Sequence, residues 1–235
     1  MNLLVVSSCT GRKATSPADQ LGLADFTDAE RLQRRENELA AYVRPAAEMY
    51  TGDQHQYLMR GVARLRQAFG SSAVSVWILS AGYGLIPEFR SIAPYEATFN
   101  EMGRREARAW AAARRVPETL REQIAQHEAT VMCLGDRYLD ALGALPAAGD
   151  RRLICFAKES LRATIESSGG VFFAAGTAQT SQYGAGNVAL KGRLFELLAR
   201  GIAAEGQPSW HALLGDTSES TVATLIQAGL HDARR

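Results

Sequence analysis

Four short apolar runs in this chain are each followed by a polar loop rich in small residues, and this repeated pattern constrains the fold most. The clearest run, Val74 to Leu79, contains β-branched and aromatic residues without a helical period, which predicts a buried strand. It ends at SAGYG (residues 80–84), where two glycines allow a sharp turn. Open α/β sheets present ligand sites in this way, although an ordinary structural connection is the alternative interpretation of this one stretch.

The other three runs give the same pattern. Strands predicted at 2–7, 130–134 and 171–175 run into loops at 8–13, 135–138 and 176–187, and a further strand is predicted at 153–156. Helices between these strands predict an α/β fold, a three-layer sandwich around a mostly parallel central sheet of four to five strands. Because the carboxyl ends of parallel strands meet at one edge, the four polar loops are expected to converge on a single site.

The chain is interpreted as a single α/β domain over 1–235, because a chain of this length can bury a full core. A polar segment near 14–40 is interpreted as an insertion, with a mobile or lid-like excursion over 14–35. An amphipathic helix at 216–229, ended by Gly229, belongs to a C-terminal helical extension over 205–235.

Composition argues against several classes of protein. No apolar run approaches the roughly 20 residues of a membrane-spanning helix, and the N-terminus is interpreted as a first strand and not as a signal peptide. The cysteines, Cys9, Cys133 and Cys155, lack CxxC spacing, so neither a disulfide scaffold nor a zinc site is suggested. We expect a cytoplasmic protein without a metal or cofactor, and its oligomeric state stays open with a monomer slightly favoured.

Positive charge is concentrated locally, since the net charge of the chain is only +1. A predicted helix over 102–115 holds Arg104, Arg105, Arg108 and Trp110. A basic helix with an aromatic residue could follow a phosphate backbone. A solvated helix anchored to the core by Trp110 explains the pattern equally well.

The candidate charged residues each have a structural alternative. Lys13 could present charge to an anion, but it could also be a solvated surface lysine. Asp53 and Asp136 both stand at predicted helix starts, where capping alone explains an aspartate. Glu96 lies in a loop with no such backbone duty, although it could simply pair with Arg90 on the surface.

Several of these segments together resemble a known family. They are SCTGRK (8–13), PAAEMYTG (45–52), SAGYGLIP (80–87), APYEATF (93–99), the basic helix with Arg108 and Trp110, and LGDRY (134–138). They resemble a bacterial and phage family that is related to the YaaA peroxide-stress proteins and, more distantly, to the uracil-DNA-glycosylase-like superfamily. The match spans roughly residues 1–145, with the glycine-rich loop at 176–187 as a later element. SAGYGLIP with APYE is its most specific part.

The resemblance implies a uracil-glycosylase-like α/β fold and a site that binds or removes a nucleobase, for example on phage DNA carrying modified bases. The chain departs from true uracil glycosylases, because GQDPY does not follow the first strand and an HPSP-type loop does not follow the last. The water-activating aspartate and the late histidine of those enzymes therefore cannot be carried over.

The leading hypothesis is a DNA N-glycosylase that excises a modified nucleobase, in defence against phage. Cleavage of the glycosidic bond passes through a cationic sugar, which needs a nearby anion, and the base must leave the stack and enter a pocket. The expected catalytic residues are Glu96, Asp136, Asp53 and Lys13, with Glu96 favoured as the anion and Asp136 second. The expected substrate-binding residues are Ser8, Cys9, Tyr50, Gln54, Ser80, Tyr83, Gly84, Tyr95, Tyr138 and Gln179. The expected contacts to the DNA backbone are Lys13, Arg104, Arg105 and Arg108.

Two other functions stay open at this point. A hydrolase or transferase acting on free nucleosides or nucleotides would use the same bond chemistry, and a deep closed pocket without a basic groove would favour it. A non-catalytic DNA-binding stress protein would contact only the phosphate backbone, and no carboxylate would face a pocket.

Overall fold

The computed structural model describes residues 1–233 of the chain. The strands among these residues are β1 (Leu3–Ser8), β2 (Leu21–Gly22), β3 (Arg44–Pro45), β4 (Val74–Ser80), β5 (Gly84–Pro87), β6 (Ser91–Ile92), β7 (Tyr95–Glu96), β8 (Ala129–Cys133), β9 (Arg152–Ala157) and β10 (Val171–Ala174). The α-helices are α1 (Ala29–Glu38), α2 (Ala46–Met49), α3 (Asp53–Phe69), α4 (Arg104–Ala113), α5 (Val116–Gln126), α6 (Asp136–Leu142), α7 (Arg162–Ser167), α8 (Thr180–Tyr183), α9 (Leu190–Glu205), α10 (Gln207–Gly215) and α11 (Glu219–Asp232). None of these helices is long and apolar enough to cross a membrane.

A six-stranded sheet in the order β10-β9-β8-β1-β4-β5 forms the centre of the molecule. Strands β10, β9, β8, β1 and β4 are parallel, and only β5 at one edge is antiparallel to its neighbour. The predicted α/β class and the mostly parallel sheet are therefore confirmed. From β1 the chain continues to β4 on one side, and it later adds β8, β9 and β10 on the other side. The strand order therefore reverses between β1 and β8, and doubly wound sheets open a crevice at such a point.

The predicted number of four to five strands is too low, because β5 was interpreted as part of a loop. Gly84 takes a φ of +77°, which only glycine adopts readily, and this allows the chain to turn back directly after β4. Ile86 then pairs with Ile78 across the hairpin. Only three residues separate β4 from β5, and they are not a polar segment that would mark the end of one strand and the start of another. The second strand was therefore interpreted as part of the loop.

Helices cover both faces of the sheet, so the fold has three layers. Leu3 and Val5 of β1 pack into one apolar cluster, with α3, α9 and α11. Leu4 and Val6 point to the opposite face and pack into a second cluster, with α4, α5 and α6. This alternation follows from the two-residue period of a strand, and the buried pattern on both faces is typical of a parallel sheet.

Helices α9 and α11 approach each other closely, because two glycines lie at their contact. A Cβ added to Gly229 would lie 1.9 Å from the Leu197 carbonyl oxygen, and one added to Gly201 would lie 2.0 Å from the Leu225 carbonyl oxygen. Gly229 therefore lies inside α11 as a packing residue, and the prediction that it ends the helix is wrong.

The segment near 14–40, which was interpreted as a polar insertion with a mobile or lid-like excursion, contains regular elements that the sequence did not predict. It contains β2, which pairs with β7, and the helix α1, capped by the Asp28 carboxylate. Phe26 packs edge-on against Tyr83 and Tyr95, with ring centroids 4.9 Å and 5.6 Å away. The Tyr83 hydroxyl donates a hydrogen bond of 2.9 Å to Glu36. Helix α1 could not be predicted from the sequence because it is charge-rich and contributes no buried residue.

The basic helix is shorter than predicted and is anchored at its end. It spans only α4, and Arg115 interrupts the helical path with a φ of 53° before α5 begins. The Trp110 indole donates to the Ala81 carbonyl oxygen at 2.6 Å. The Arg114 guanidinium stacks on that indole and donates to the Gly82 carbonyl oxygen. Trp110 and Arg114 therefore fasten α4 to the turn after β4, as the structural interpretation expected.

Candidate functional site

A cavity of about 690 Å³ opens at the carboxyl edge of the sheet, where the chain direction reverses between β1 and β8. This volume lies within the usual range for small-molecule sites. Its lining residues are 8–13, 52–54, 96–98, 100, 135, 136, 138, 158, 175, 187, 188 and 191. Many of them lie at or after the carboxyl ends of β1, β8, β9 and β10, which the parallel topology brings together. The others lie at the start of α3, at and after the end of β7, and just before or at the start of α9.

The floor of the cavity is formed by Gln54, a side chain that is only 7% exposed. Its Nε2 donates to the Cys133 carbonyl oxygen at 3.0 Å and to Ser8 Oγ at 3.2 Å. A carbonyl can only accept, so this contact fixes which end of the amide is nitrogen. The Gln54 Oε1 atom consequently points away from Cys133 and makes no hydrogen bond to residues 1–233, which leaves it available as an acceptor.

Cys9 and Tyr138 meet across the crevice between β1 and β8. Cys9 Sγ and the Tyr138 hydroxyl share a hydrogen bond of 3.1 Å, and both side chains line the cavity. Phe99 packs edge-on against the Tyr138 ring at 5.1 Å. Burial raises the pKa of Tyr138, so its hydroxyl stays neutral and can donate or accept.

Lys13 lines the cavity and lies over the buried ring of Tyr95. Its ammonium lies 4.5 Å from the centroid of the Tyr95 ring and donates to the Gly11 carbonyl oxygen at 3.3 Å. Burial lowers the pKa of Lys13, and the nearby Cys9 and Glu96 oppose this effect. Lys13 is half-buried, so the solvated surface lysine of the alternative interpretation is not what the structure contains.

Asp136 is held between two lysines. Lys158 Nζ lies 2.6 Å from Asp136 Oδ2, and Lys191 Nζ lies 3.5 Å from Asp136 Oδ1. Burial alone would raise the pKa of Asp136, but the hydrogen bond from Lys158 and the charge of Lys191 lower it overall. Lys191 also donates to the Leu134 carbonyl oxygen, and burial lowers its own pKa.

The other two candidate carboxylates, Asp53 and Glu96, are both exposed and both line the cavity, but they differ in their partners. Asp53 is exposed and forms an ion pair of 2.6 Å with Arg12 at the cavity rim. Glu96 lines the cavity without an ion pair in the described part of the chain. Arg90 stacks on the Tyr83 ring instead, so the expected alternative of a Glu96–Arg90 pair is wrong.

Helix capping does not explain either aspartate. Gly52 is the N-cap of α3 and Gly135 is the N-cap of α6, and Asp53 and Asp136 each occupy the first helical position. Their side chains make the ion pairs described above instead of bonds to the helix ends.

Six of the expected substrate-binding residues do not line the cavity. Tyr50, Tyr95 and Ser80 are buried beneath it, where the Tyr50 and Tyr95 hydroxyls are 2.8 Å apart and Ser80 Oγ donates to Tyr95 at 2.7 Å. The three side chains lie at the end of β4, and the Tyr95 ring contacts the Lys13 ammonium. Tyrosine rings gain much free energy from burial of their apolar surface, so these residues pack in the core and do not face the cavity.

The remaining three of these residues have structural roles elsewhere. The Tyr83 hydroxyl accepts from the Ala93 backbone N–H and donates to Glu36. Gly84 forms the β4–β5 turn described above. Gln179 Oε1 accepts from the Gly176 N–H at 3.0 Å and thereby stabilises its own loop. The structure therefore corrects the expectation that these residues line the cavity.

The arginines expected to contact DNA lie on α4, outside the cavity lining. Arg104 forms an ion pair of 3.3 Å with Asp140, and Arg108 donates to the Asp140 backbone carbonyl oxygen. Arg105 is exposed and has no ion pair within residues 1–233. Of the three, Arg105 is thus the side chain most available to an external phosphate.

The sequence interpretation missed several cavity residues, namely Arg12, Asn100, Lys158, Asn187, Val188 and Lys191. Lys158 and Lys191 lie within helices predicted near 158–167 and at 188–200 and belong to no local motif, so only the tertiary fold brings them to Asp136. Val188 is 84% exposed at the cavity mouth, an unusual position for an apolar side chain. No group of three His, Cys, Asp or Glu side chains within residues 1–233 is arranged to hold a metal ion.

Comparison with protein families adds one assignment. The model of a family of unknown function, DUF6884, matches residues 36–158, just over half of the chain. The chain belongs to this family. The part shared with DUF6884 includes Gln54, Glu96, Asp136, Tyr138 and Lys158, whereas the loop after β1 and Lys191 lie outside it. No curated protein and no solved structure matches the chain.

Proposed function

We propose that this protein is a DNA N-glycosylase that removes a modified nucleobase and acts in the cytoplasm against phage with modified DNA. The observation that carries the proposal is Glu96, a carboxylate without an ion pair in the described residues, which lines a nucleotide-sized cavity beside Lys13. The substrate class follows from the resemblance given above. The strand order alone is shared by several α/β folds, so the argument rests on the site.

Glu96 fits the role of the anion that glycosidic cleavage requires. As the C1′–N bond breaks, positive charge develops on the sugar, and a fixed carboxylate stabilises it more in the transition state than in the ground state. Asp136 and Asp53 are already paired with cations, so their charge is largely neutralised. Glu96 is therefore the first choice and Asp136 the second, as the sequence suggested.

The cavity floor offers groups that suit the edge of a nucleobase. Gln54 Oε1 is available as an acceptor, and Ser8 Oγ, which accepts from Gln54, can donate its own hydrogen. Tyr138 and Cys9 form the adjacent wall. An acceptor beside a donor on a buried floor can bind a base that has left the stack.

The cavity mouth favours DNA over free nucleosides. Arg12 and Lys158 are more than half exposed there, and both could meet phosphates beside an extruded nucleotide. Val188 projects from the same rim, and an apolar side chain at this place can fill the gap that the extruded base leaves. A non-catalytic DNA-binding protein would not need Glu96 in the cavity.

Base release is the direct test. Purified protein is incubated with unmodified DNA and with phage DNA carrying modified bases. Free base is then measured by mass spectrometry, and abasic sites are measured by strand cleavage in alkali. The proposal expects free base and abasic sites in equal amounts from modified DNA. Base released only from free nucleosides would support the alternative enzyme, and DNA binding without any released base would support the non-catalytic alternative.

A further inference from the structure

The distribution of lysine in this chain is unusual. Of its 26 lysine and arginine residues only three are lysines, Lys13, Lys158 and Lys191, and all three line the one cavity described above. Everywhere else the chain uses arginine for positive charge. An ammonium group can lose its proton and act as a nucleophile, whereas a guanidinium stays protonated, so lysine at this site offers a chemistry that arginine does not.

The three lysines are not equivalent. Lys158 and Lys191 both pair with Asp136, which favours their protonated forms. Lys13 has no ion pair within residues 1–233, and its Nζ contacts only the Gly11 carbonyl oxygen and the face of the Tyr95 ring. Burial lowers the pKa of Lys191 as well, but its ammonium is held by Asp136 and the Leu134 carbonyl oxygen. Of the three lysines, Lys13 is therefore the one whose amine is not held in an ion pair by the described residues.

The surroundings of Lys13 support the same role. Burial lowers its pKa, which increases the fraction of neutral amine. Tyr95 beneath it is fully buried and held by Tyr50 and Ser80, so the aromatic platform is fixed. The ammonium thus lies in the cavity against the Tyr95 ring, and Lys13 is only partly exposed.

We propose that Lys13 is a nucleophile that forms an imine with the C1′ aldehyde of an abasic site, which gives the protein a DNA strand-cleaving lyase activity. This inference rests on the proposed function, because base removal leaves such an aldehyde in the cavity. The two activities are separable, since the imine can form on an abasic site made by other means.

The reaction balances without an added oxidant or reductant. The neutral Lys13 amine attacks C1′ of the open-chain sugar, and the resulting carbinolamine loses water to give a protonated imine. Glu96 takes a proton from C2′, so that the C2′–H electrons form a C1′=C2′ double bond and the C=N electrons move to the nitrogen. The enamine nitrogen then re-forms the imine, the C1′=C2′ electrons shift to a C2′=C3′ double bond, and the C3′–O bond breaks with the 3′-phosphate as leaving group. Water finally hydrolyses the imine, which releases an unsaturated aldehyde and restores the Lys13 amine.

Reductive trapping tests this proposal with the full chain. A DNA oligonucleotide carrying one preformed abasic site is mixed with the protein and sodium borohydride, which reduces an imine to a stable secondary amine. Peptide mass spectrometry then locates the adduct. We expect it on Lys13, and an adduct confined to Lys158, Lys191 or the N-terminal amine would overturn the proposal, as would the absence of any adduct.

Two variants keep the test informative. Lys13→Arg retains the positive charge but cannot form an imine, so we expect loss of the trapped complex while affinity for abasic DNA is retained. Lys13→Met should lose the trapped complex and also weaken binding. Thermal unfolding of both variants shows whether they are folded, and undiminished trapping by a folded Lys13→Arg variant would exclude Lys13.

Failure of the Lys13 proposal can be distinguished from failure of the proposed glycosylase activity. Base release from modified DNA without trapping on the preformed abasic site would remove the Lys13 step and leave the glycosylase in place. Trapping on Lys13 without base release from any modified DNA would support the amine chemistry and contradict the glycosylase.

Discussion

Lys191 Nζ lies 3.5 Å from Asp136 Oδ1, and this ammonium is one of the few charged groups that the fold buries, at 7% exposure. Replacing Asp136 with asparagine removes the carboxylate and leaves the buried charge with only the Leu134 carbonyl oxygen. Since Asp136 is partly exposed, we expect a loss of about 1–3 kcal/mol in the free energy of unfolding. Urea unfolding of Asp136→Asn measures it.

A double variant checks that this loss comes from the pair. Asp136→Asn combined with Lys191→Met removes both charges, so part of the lost stability should return. If the second substitution only adds further loss, the Asp136–Lys191 contact does not stabilise the fold.

The same carboxylate predicts a pH dependence. The pKa of Asp136 is lowered in the folded protein, because Lys158 and Lys191 outweigh the effect of burial. An aspartate with a lowered pKa contributes stability above its unfolded value, about 3.9, and loses it as the pH falls through the folded value. We expect the stability difference between the wild type and Asp136→Asn to shrink below about pH 4. A difference that stays constant from pH 6 to about pH 3 would contradict the assignment, and taking this difference removes the effect of other carboxylates.

The contact of α9 with α11 gives a prediction about packing. A Cβ at Gly229 would meet the Leu197 backbone oxygen at 1.9 Å, and backbone cannot rotate away as a side chain can. We expect Gly229→Ala to destabilise the protein by at least about 1–3 kcal/mol. Gly215 is also in a helix, and outside its own helix backbone and chain neighbours no described atom lies within 4 Å of an added Cβ. Gly215→Ala is therefore the control and should be nearly neutral. Equal effects in urea unfolding would contradict the close approach.

The fold class could be predicted from the sequence because both faces of the sheet are buried. Each parallel strand therefore appears in the sequence as a short, continuous apolar run. Val74–Ser80 and Leu3–Ser8 are such runs, and glycine and hydroxyl residues mark where each ends. The hairpin strand β5 and the helix α1 could not be predicted in this way. Gly84–Pro87 follows β4 after a turn of only three residues, and the charged helix Ala29–Glu38 has no apolar stripe that would reveal its period.

The location of the site could also be predicted, but its internal pairing could not. Parallel topology alone brings the loops after β1 and β8 together, and hence Cys9 to Tyr138. The contacts of Asp136 depend on two lysines that are distant in sequence: Lys158 directly follows β9, the parallel neighbour of β8, and Lys191 is brought in by the packing of α9 against the sheet. The scarcity of lysine was one signal available in the sequence. The chain has only three lysines, and their rarity could have marked them as candidate site residues.

The basic helix α4 gives a prediction about DNA binding. Arg105 is exposed and has no ion pair in the described part of the chain, so its reversal to glutamate should remove one phosphate contact. We expect weaker binding and a log–log salt dependence flatter by about one unit. Arg151, just before β9 at the opposite edge of the sheet, is the control for Arg→Glu reversal. An unchanged slope for Arg105→Glu would assign α4 to a purely structural role.

The choice of Glu96 as the catalytic anion gives the last prediction. Glu96→Gln retains size and hydrogen bonding but removes the charge beside the developing cation. We expect base release to fall by roughly a hundredfold or more, the usual effect of losing one preorganised electrostatic group. Affinity for DNA should be retained, because Glu96 carries no positive charge for phosphates.

A matched control lies five residues away. Glu101 is exposed on the same segment and does not line the cavity, so Glu101→Gln should release base at the wild-type rate. Single-turnover base release with modified DNA separates the chemical step from product release. Near-normal release by Glu96→Gln, together with a large loss in Asp136→Asn, would move the role to Asp136, and the electrostatic argument would then fail. On electrostatic grounds, the carboxylate without an ion pair supplies the anion, whereas Asp136, held between Lys158 and Lys191, stabilises the cavity.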